Sequence, residues 1–258
     1  MPAKRPPRLP GSSARFSRAR FAYRANRFRR INWSLMVAAG LVLFVAGIPA
    51  QVRVALLSAI LAQSTVTVML IVFGLLALSL LWSAGQRVDA WIFLYFNFHG
   101  RRPPWLDWIM LGLTQFGGGL VPAVLAAGIF LSREPDLAYE LVLGSLTLAL
   151  VVELSKAIFR RSRPFVRLTQ TRIVGYRARG RSFPSGHTSQ AFYMAALLVE
   201  HFHLGIGAAG ALLTLAALVA VTRMYIGAHY PRDVLAGAIL GSVWGLLGVM
   251  IDTNFALK

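Results

Sequence analysis

Cysteine is absent from the 258-residue chain, and acidic residues are scarce: nine Asp and Glu stand against 27 Lys and Arg. Without thiols there are no disulfides and no thiolate metal sites, and the redox compartment leaves no mark on the sequence. So few carboxylates also leave no acid-rich cluster of the kind that holds magnesium, and neither a metal nor an organic cofactor is expected. Charged residues make up only 14% of the chain, whereas 57% is hydrophobic and the mean hydropathy is +0.62. A soluble domain of this length does not have that balance; a polytopic membrane protein does.

The charge that is present is clustered. Residues 1–30 carry ten Lys or Arg and no acid, and residues 160–181 carry eight Arg and no acid. The first cluster reads as a disordered, positive-inside arm lying on anionic lipid headgroups. No nucleic-acid-binding fold follows it, so no nucleic-acid partner is expected. The basic stretch is too long for a signal peptide and shows no small-residue cleavage site.

Apolar runs fall at about 33–50, 66–84, 107–131, 138–159, 188–203, 205–222 and 234–251. Because lipid requires backbone groups to be satisfied within each spanning segment, the expected fold is an all-α transmembrane bundle. Residues 51–65 are ambiguous. Between 85 and 106, Trp91, Phe93, Tyr95, Phe96 and Phe98 crowd together ahead of Arg101 and Arg102, which suits a segment lying in the headgroup layer. The expected organisation is a basic arm (1–30), N-terminal transmembrane helices (31–84), a membrane core (85–252) and a short tail (253–258).

Three polar pieces sit at the ends of apolar runs, where ionisable groups beside hydrocarbon are costly and mark function. Lys156 and Arg163 close the fourth run; a point charge plus a planar fork suits the oxygens of a phosphate. They would share a helix face if the helix ran on, although Pro164 limits that continuation. Pro184-Ser185-Gly186-His187 opens the fifth run. There the free N–H groups of a helix N-terminus, a close backbone approach at Gly186 and the Ser185 hydroxyl favour an anion, with His187 able to move a proton. Arg223 ends the sixth run and Asp233 opens the seventh. His229, four residues before Asp233, is within reach of its carboxylate, which would fix the imidazole tautomer and leave the other nitrogen as a nucleophile. Ordinary flanking cations and helix caps would account for any one piece alone; the order and spacing of all three argue for one phosphate site.

Lys156-x6-Arg163-Pro164, Pro184-Ser185-Gly186-His187 and Arg223-x5-His229-x3-Asp233 resemble the three signature motifs of the type 2 phosphatidic acid phosphatase family, which is related to vanadium haloperoxidases. The resemblance covers about residues 85–252. It departs at Thr222, where the family usually has Ser. It implies a six-helix phosphatase core with an extra N-terminal helix, acting on a lipid phosphomonoester or diphosphate. His229 would be the nucleophile that forms a phosphohistidine, Asp233 its orienting carboxylate, and His187 the general acid and then base. Lys156, Arg163, Arg223, Ser185 and the Gly186 amide would hold the phosphate oxygens. It further implies a multi-pass protein of the cell (inner) membrane with an extracytoplasmic site. A lipid phosphotransferase using the same His, or a transporter whose charges line a pathway, remain the alternatives. Glu153 is expected to pair with Lys156, and His201 and His203 to lie in a short wet loop rather than on a metal.

Overall fold

The computed structural model describes residues 63–98 and 103–255, with isolated positions between 46 and 61. The basic arm 1–30, nearly all of the run at 33–50, residues 99–102 and the last three residues lie outside the described residues. The chain divides into two compact units, Met1–Ile48 and Pro49–Lys258, and nearly all of the described residues belong to the second.

Nine α-helices occur among the described residues, joined by short turns and one long loop. They are α1 Ser64–Ser79, α2 Ser83–Phe98, α3 Pro104–Thr114, α4 Leu120–Leu131, α5 Pro135–Phe159, the single turn α6 Pro164–Arg167, α7 Gly186–His201, α8 Ile206–Tyr225 and α9 Pro231–Phe255. Pro stands at the first turn of α3, α5 and α6, where its missing N–H costs nothing. α9 continues to Phe255, into the stretch read from sequence as a tail.

Burial runs opposite to that of a water-soluble protein. Leu81, Leu131 and Ile206 are more than 80% exposed, whereas Asp89, Asn97, Arg163, Thr188, Arg223 and Asp233 are buried. An apolar exterior around a polar interior is what a lipid solvent requires. Three helical stretches, Pro135–Arg167, Ile206–Tyr225 and Pro231–Met250, are long and apolar enough to cross a membrane, and up to five spans result if each of two bent pairs is one span. The protein is a multi-pass membrane protein.

Two sequence expectations are corrected here. The run at 66–84 is not one rod: α1 ends at Ser79 and α2 leaves it at 98°. α2 turns Trp91 and Tyr95 outward, while Asp89, Phe93 and Asn97 point inward and are buried. The run at 107–131 is likewise broken, with a 3-10 turn at Gln115–Gly117 and a 56° bend between α3 and α4. Gly117-Gly118-Gly119 supplies the weak point, since glycine gives up helical stability most readily. The break has a purpose in packing: a Cβ on Gly117 would lie 2.3 Å from the carbonyl oxygen of His187.

α7 has 16 residues and is therefore about 24 Å long, short of the ~30 Å hydrocarbon core. It is the central helix, with Tyr193, Leu197, Thr188 and Ser189 fully buried. α9 lies along it in near backbone contact; a Cβ on Gly241 would fall 2.1 Å from the Ser189 carbonyl oxygen, so only glycine permits this approach. On the other side, Tyr193 and Leu197 of α7 join Leu141, Leu148 and Val152 of α5 and Leu240 of α9 in the largest apolar cluster. These contacts bring the N-terminus of α7, the C-termini of α5 and α8 and the start of α9 to one place.

Candidate active site

α5 stops at Phe159 because Arg160 adopts the left-handed conformation (φ 48°) and its N–H closes on Lys156 O at 3.1 Å. Lys156 and Arg163 therefore do not share a helix face; they converge because the chain turns. Lys156 donates to Glu153 Oε1 at 2.7 Å, as the spacing suggested, and its Nζ reaches the start of α7, 3.8 Å from where a Cβ on Gly186 would sit. Arg163 is extended before Pro164 and is buried. Its Nη2 donates to Arg179 O at 2.8 Å and its Nε to Gly180 O at 3.3 Å, pinning the arginine-rich loop. Its Nη1 donates to Ala228 O at 2.9 Å and lies 3.1 Å from His229 Nε2.

A guanidinium only donates, so Nε2 of His229 is the acceptor and the proton of the neutral ring sits on Nδ1. Burial pushes the His229 imidazole down to about 3; the nearby Asp233 carboxylate opposes that shift, and the Arg163 and Arg223 charges reinforce it. The ring is neutral at physiological pH with a lone pair on Nε2. Asp233 Oδ2 lies 3.6 Å from His229 Nδ1, which has no hydrogen-bond partner. The i,i+4 reading thus found the right neighbours but not a formed bond. α9 begins at Pro231, so His229 precedes the helix instead of lying one turn along it.

Ser185 caps α7, and its N–H donates to the main-chain carbonyl of Asp233 at 2.9 Å, tying the second motif to the third. Its Oγ accepts from Thr188 Oγ1 at 2.9 Å, which leaves the Ser185 proton free to donate. Gly186 is the first residue of α7 and His187 the second. The charges of Arg223, Lys156 and Arg163 all act on His187. Arg223 is buried, donates through Nη1 to Thr114 Oγ1 at 2.7 Å, and leaves Nε without a partner. Thr222 returns its hydroxyl to Val219 O at 2.6 Å, so that proton serves α8. A cavity bounded by His187, Arg223, Thr114, Ala228, Tyr176 and Phe165 opens beside these groups.

All eight residues singled out from sequence therefore gather at one end of the bundle. Arg163 and Arg223 carry no carboxylate partner among the described residues. Two buried cations without a paired carboxylate offer the kind of donors that suit an anion. No group of three or more His, Asp or Glu close enough to hold a metal ion occurs among the described residues.

Several supporting residues carried no local signal. Thr114 lies 109 positions from the arginine it meets. Asn97 of α2 bonds Arg172 O, Arg172 N and Tyr225 O, each at 2.8 Å, and so fastens the loop to the end of α8. Asp107, in the first turn of α3, accepts from Tyr225 Oη at 2.6 Å and from Arg172. Arg161 and Ser182 bond Asp233, and Asp89 and Arg232 extend this cluster behind Arg161. The one local signal that could have marked this cluster is an acid, Asp89, within the aromatic-rich apolar stretch of α2.

Fold and site together define a multi-pass helical membrane protein with a buried cationic, two-histidine site. The profile of the PAP2 superfamily matches residues 138–255. The chain is 30% identical over 165 residues to an undecaprenyl-diphosphatase of Sulfolobus acidocaldarius, covering 59% of this chain and 74% of that one. It is 33% identical over 158 residues to phosphatidylglycerophosphatase B of Bacillus subtilis, covering 54% and 72% respectively. The crystal structure of a transmembrane PAP2-type phosphatidylglycerolphosphate phosphatase from Bacillus subtilis superposes with a TM-score of 0.64 at 26% identity, over 75% of this chain and 98% of that one. The chain belongs to the PAP2 superfamily.

Proposed function

We propose that this protein is a membrane lipid phosphatase that hydrolyses a lipid phosphomonoester or diphosphate through a phosphohistidine on His229. The observation that carries the reading is the 3.1 Å contact between Arg163 Nη1 and His229 Nε2, which holds a phosphate-binding fork against an unprotonated ring nitrogen. A phosphate entering the site takes up the donors of Arg163, Arg223 and Lys156, the Ser185 hydroxyl and the Gly186 amide. Its equatorial oxygens then face fixed positive groups where transition-state charge spreads.

His229 Nε2 attacks phosphorus, the N–P bond forms, and the bond to the leaving oxygen breaks in line. His187 gives its proton to that oxygen; the negative phosphate favours the protonated form of His187 while bound. Asp233 takes up the Nδ1–H as the 3.6 Å gap closes, a contact that tightens in the loaded site. Water then attacks phosphorus, His187 accepts its proton, the N–P bond breaks, and inorganic phosphate leaves. The tail stays among the apolar helices, and the substrates that fit are phosphatidate, phosphatidylglycerophosphate and polyprenyl diphosphates. We infer that the protein lies in the cell (inner) membrane with the site on the extracytoplasmic face, the placement that the family resemblance implies.

The test is phosphate release by purified protein over a panel of these lipids in excess chelator, for wild type, His229→Ala and His187→Ala. Wild type turns over regardless of chelator, and both variants lose activity. A His229→Ala protein that still releases phosphate refutes the mechanism. The absence of cysteine makes topology simple to test: Arg179→Cys, exposed on the loop, reacts with an impermeant maleimide in intact cells. Protection there with reaction only after lysis refutes the extracytoplasmic placement.

A further inference from the structure

We propose that Arg161 and Asp89 are positioning residues that hold Asp233 in the orientation the His229 pair requires. The proposal rests on the reading of His229 as nucleophile and goes beyond it. Arg161 occupies an unspecified position of the first motif, and Asp89 lies in α2, outside the span matched by the family profile.

Asp233 is fully buried, so each of its oxygens needs a partner. Oδ1 accepts from Arg161 Nη1 at 2.7 Å. Oδ2 accepts from Ser182 Oγ at 2.5 Å and from the Tyr230 N–H at 2.8 Å. Ser182 is itself set by Arg161, whose main-chain carbonyl accepts the Ser182 N–H at 2.9 Å. Arg161 thus governs both oxygens, one through its guanidinium and one through its backbone. These contacts fix the carboxylate with Oδ2 3.6 Å from His229 Nδ1.

Arg161 is in turn fixed from behind. Its Nη2 donates to Asp89 Oδ2 and to Gln86 Oε1, the latter at 3.0 Å, and its guanidinium lies 4.3 Å over the Tyr230 ring. Asp89 is also held by Arg232, through Nε at 2.7 Å and the main-chain N–H at 3.2 Å. Arg232 Nη1 reaches Ser79 O at 2.5 Å and Ser79 Oγ at 3.0 Å, at the end of α1. Two acids and two arginines form a neutral buried quartet, the condition under which four charges leave water together. The quartet therefore leaves the phosphate-binding cations uncompensated while it locks the carboxylate. Without Arg161 the buried Asp233 loses its counter-ion and its Oδ1 partner. It then turns or takes a proton, His229 Nδ1–H loses its acceptor, and Nε2 loses its role as attacking atom.

A structural ion pair predicts only lower stability; a positioning role predicts loss of kcat that depends on Asp233. The experiment is a double-mutant cycle on the full chain in detergent, measuring kcat and KM for Arg161→Ala, Asp233→Asn and the pair. Monodispersity and thermal midpoint are recorded alongside. Arg161→Ala lowers kcat on the order of 10- to 100-fold, the loss typical when an orienting partner is removed. KM stays nearly constant, and in the Asp233→Asn background the further loss is less than about threefold because the two residues act as a unit. The same loss in both backgrounds overturns the proposal, as does unchanged kcat, or a rise in KM alone. Should Arg161→Ala fail to fold, Arg161→Gln with Asp89→Asn removes one charge of each sign and keeps amides at both places, and the same cycle applies. If His229→Ala retains turnover, the phosphohistidine reading has failed; if His229→Ala is dead and the cycle is additive, this inference alone has failed.

Discussion

Replacing Arg163 with lysine separates charge from geometry at the centre of the site. Arg163 makes four contacts from three nitrogens: Ala228 O, His229 Nε2, Arg179 O and Gly180 O. A lysine ammonium can occupy the Nη1 position and keep the first two. It cannot also reach the loop carbonyls, at 2.8 and 3.3 Å from Nη2 and Nε. The 2.8 Å bond is a charge-assisted one, worth about 1.5–3 kcal/mol, and the longer one adds less. A loss of about 2–4 kcal/mol corresponds to a fall in kcat/KM of roughly 30- to 1,000-fold. The assay is phosphate release with kcat and KM separated, together with limited proteolysis of the 170–181 loop, which should be cut faster once its tether is gone. A lysine variant that keeps a large fraction of activity with an equally resistant loop would show that positive charge alone suffices, and the fork argument would be wrong.

Thr114→Val removes the acceptor for Arg223 Nη1 while keeping the shape of the side chain. Leaving that buried donor unmet costs about 1–3 kcal/mol, so kcat/KM falls by roughly 5- to 150-fold, and Thr114→Ser restores it; equal activity of the Val variant counts against Thr114. Gly241→Ala forces α9 away from the Ser189 carbonyl and costs about 1–3 kcal/mol, read as a lower thermal midpoint. Gly74→Ala on α1, where a Cβ meets nothing within 4 Å, serves as the neutral control, and equal midpoints for the two would refute the contact. Finally, His229 titrates at its ordinary 6.5 when unfolded but only at about 3 when folded. Between those values the unfolded chain binds the extra proton, so stability is full above 6.5 and is lost as pH falls through that window. The thermal midpoint of wild type should drop relative to His229→Gln as pH is lowered from 7 to 4; parallel curves would contradict the shift.

How far the sequence went is clearest residue by residue. The convergence of the eight candidate residues was legible because three motifs each combine several constraints within a dozen positions, and helix ends deliver them to one place. Their supports were not, because Arg161 finds Asp89 and Asp233 each 72 positions away and Arg223 finds Thr114 at 109. No local spacing rule reaches so far. Hydropathy also marked where apolar segments lie but not where they bend. The turn after Ser79 and the break at Gly117 conserve apolar character while changing direction, and only the tight fit of Gly117 against His187 explains why the second break is there. The apolar run ending at 159 matched the end of α5, but nothing in it announced that Arg160 would turn the chain in a left-handed conformation.

The two sides of the site differ in how far they can give. On one side, main chain touches main chain and Ser185 is bonded to Asp233, so nothing can yield without unseating the histidines. On the other, Tyr176, Phe165 and Leu111 line the cavity from the arginine-rich loop, the single turn α6 and α3, and under the proposed function differences in lipid headgroup fall there. Engineering of substrate range therefore belongs on that yielding side, with the rigid side left untouched.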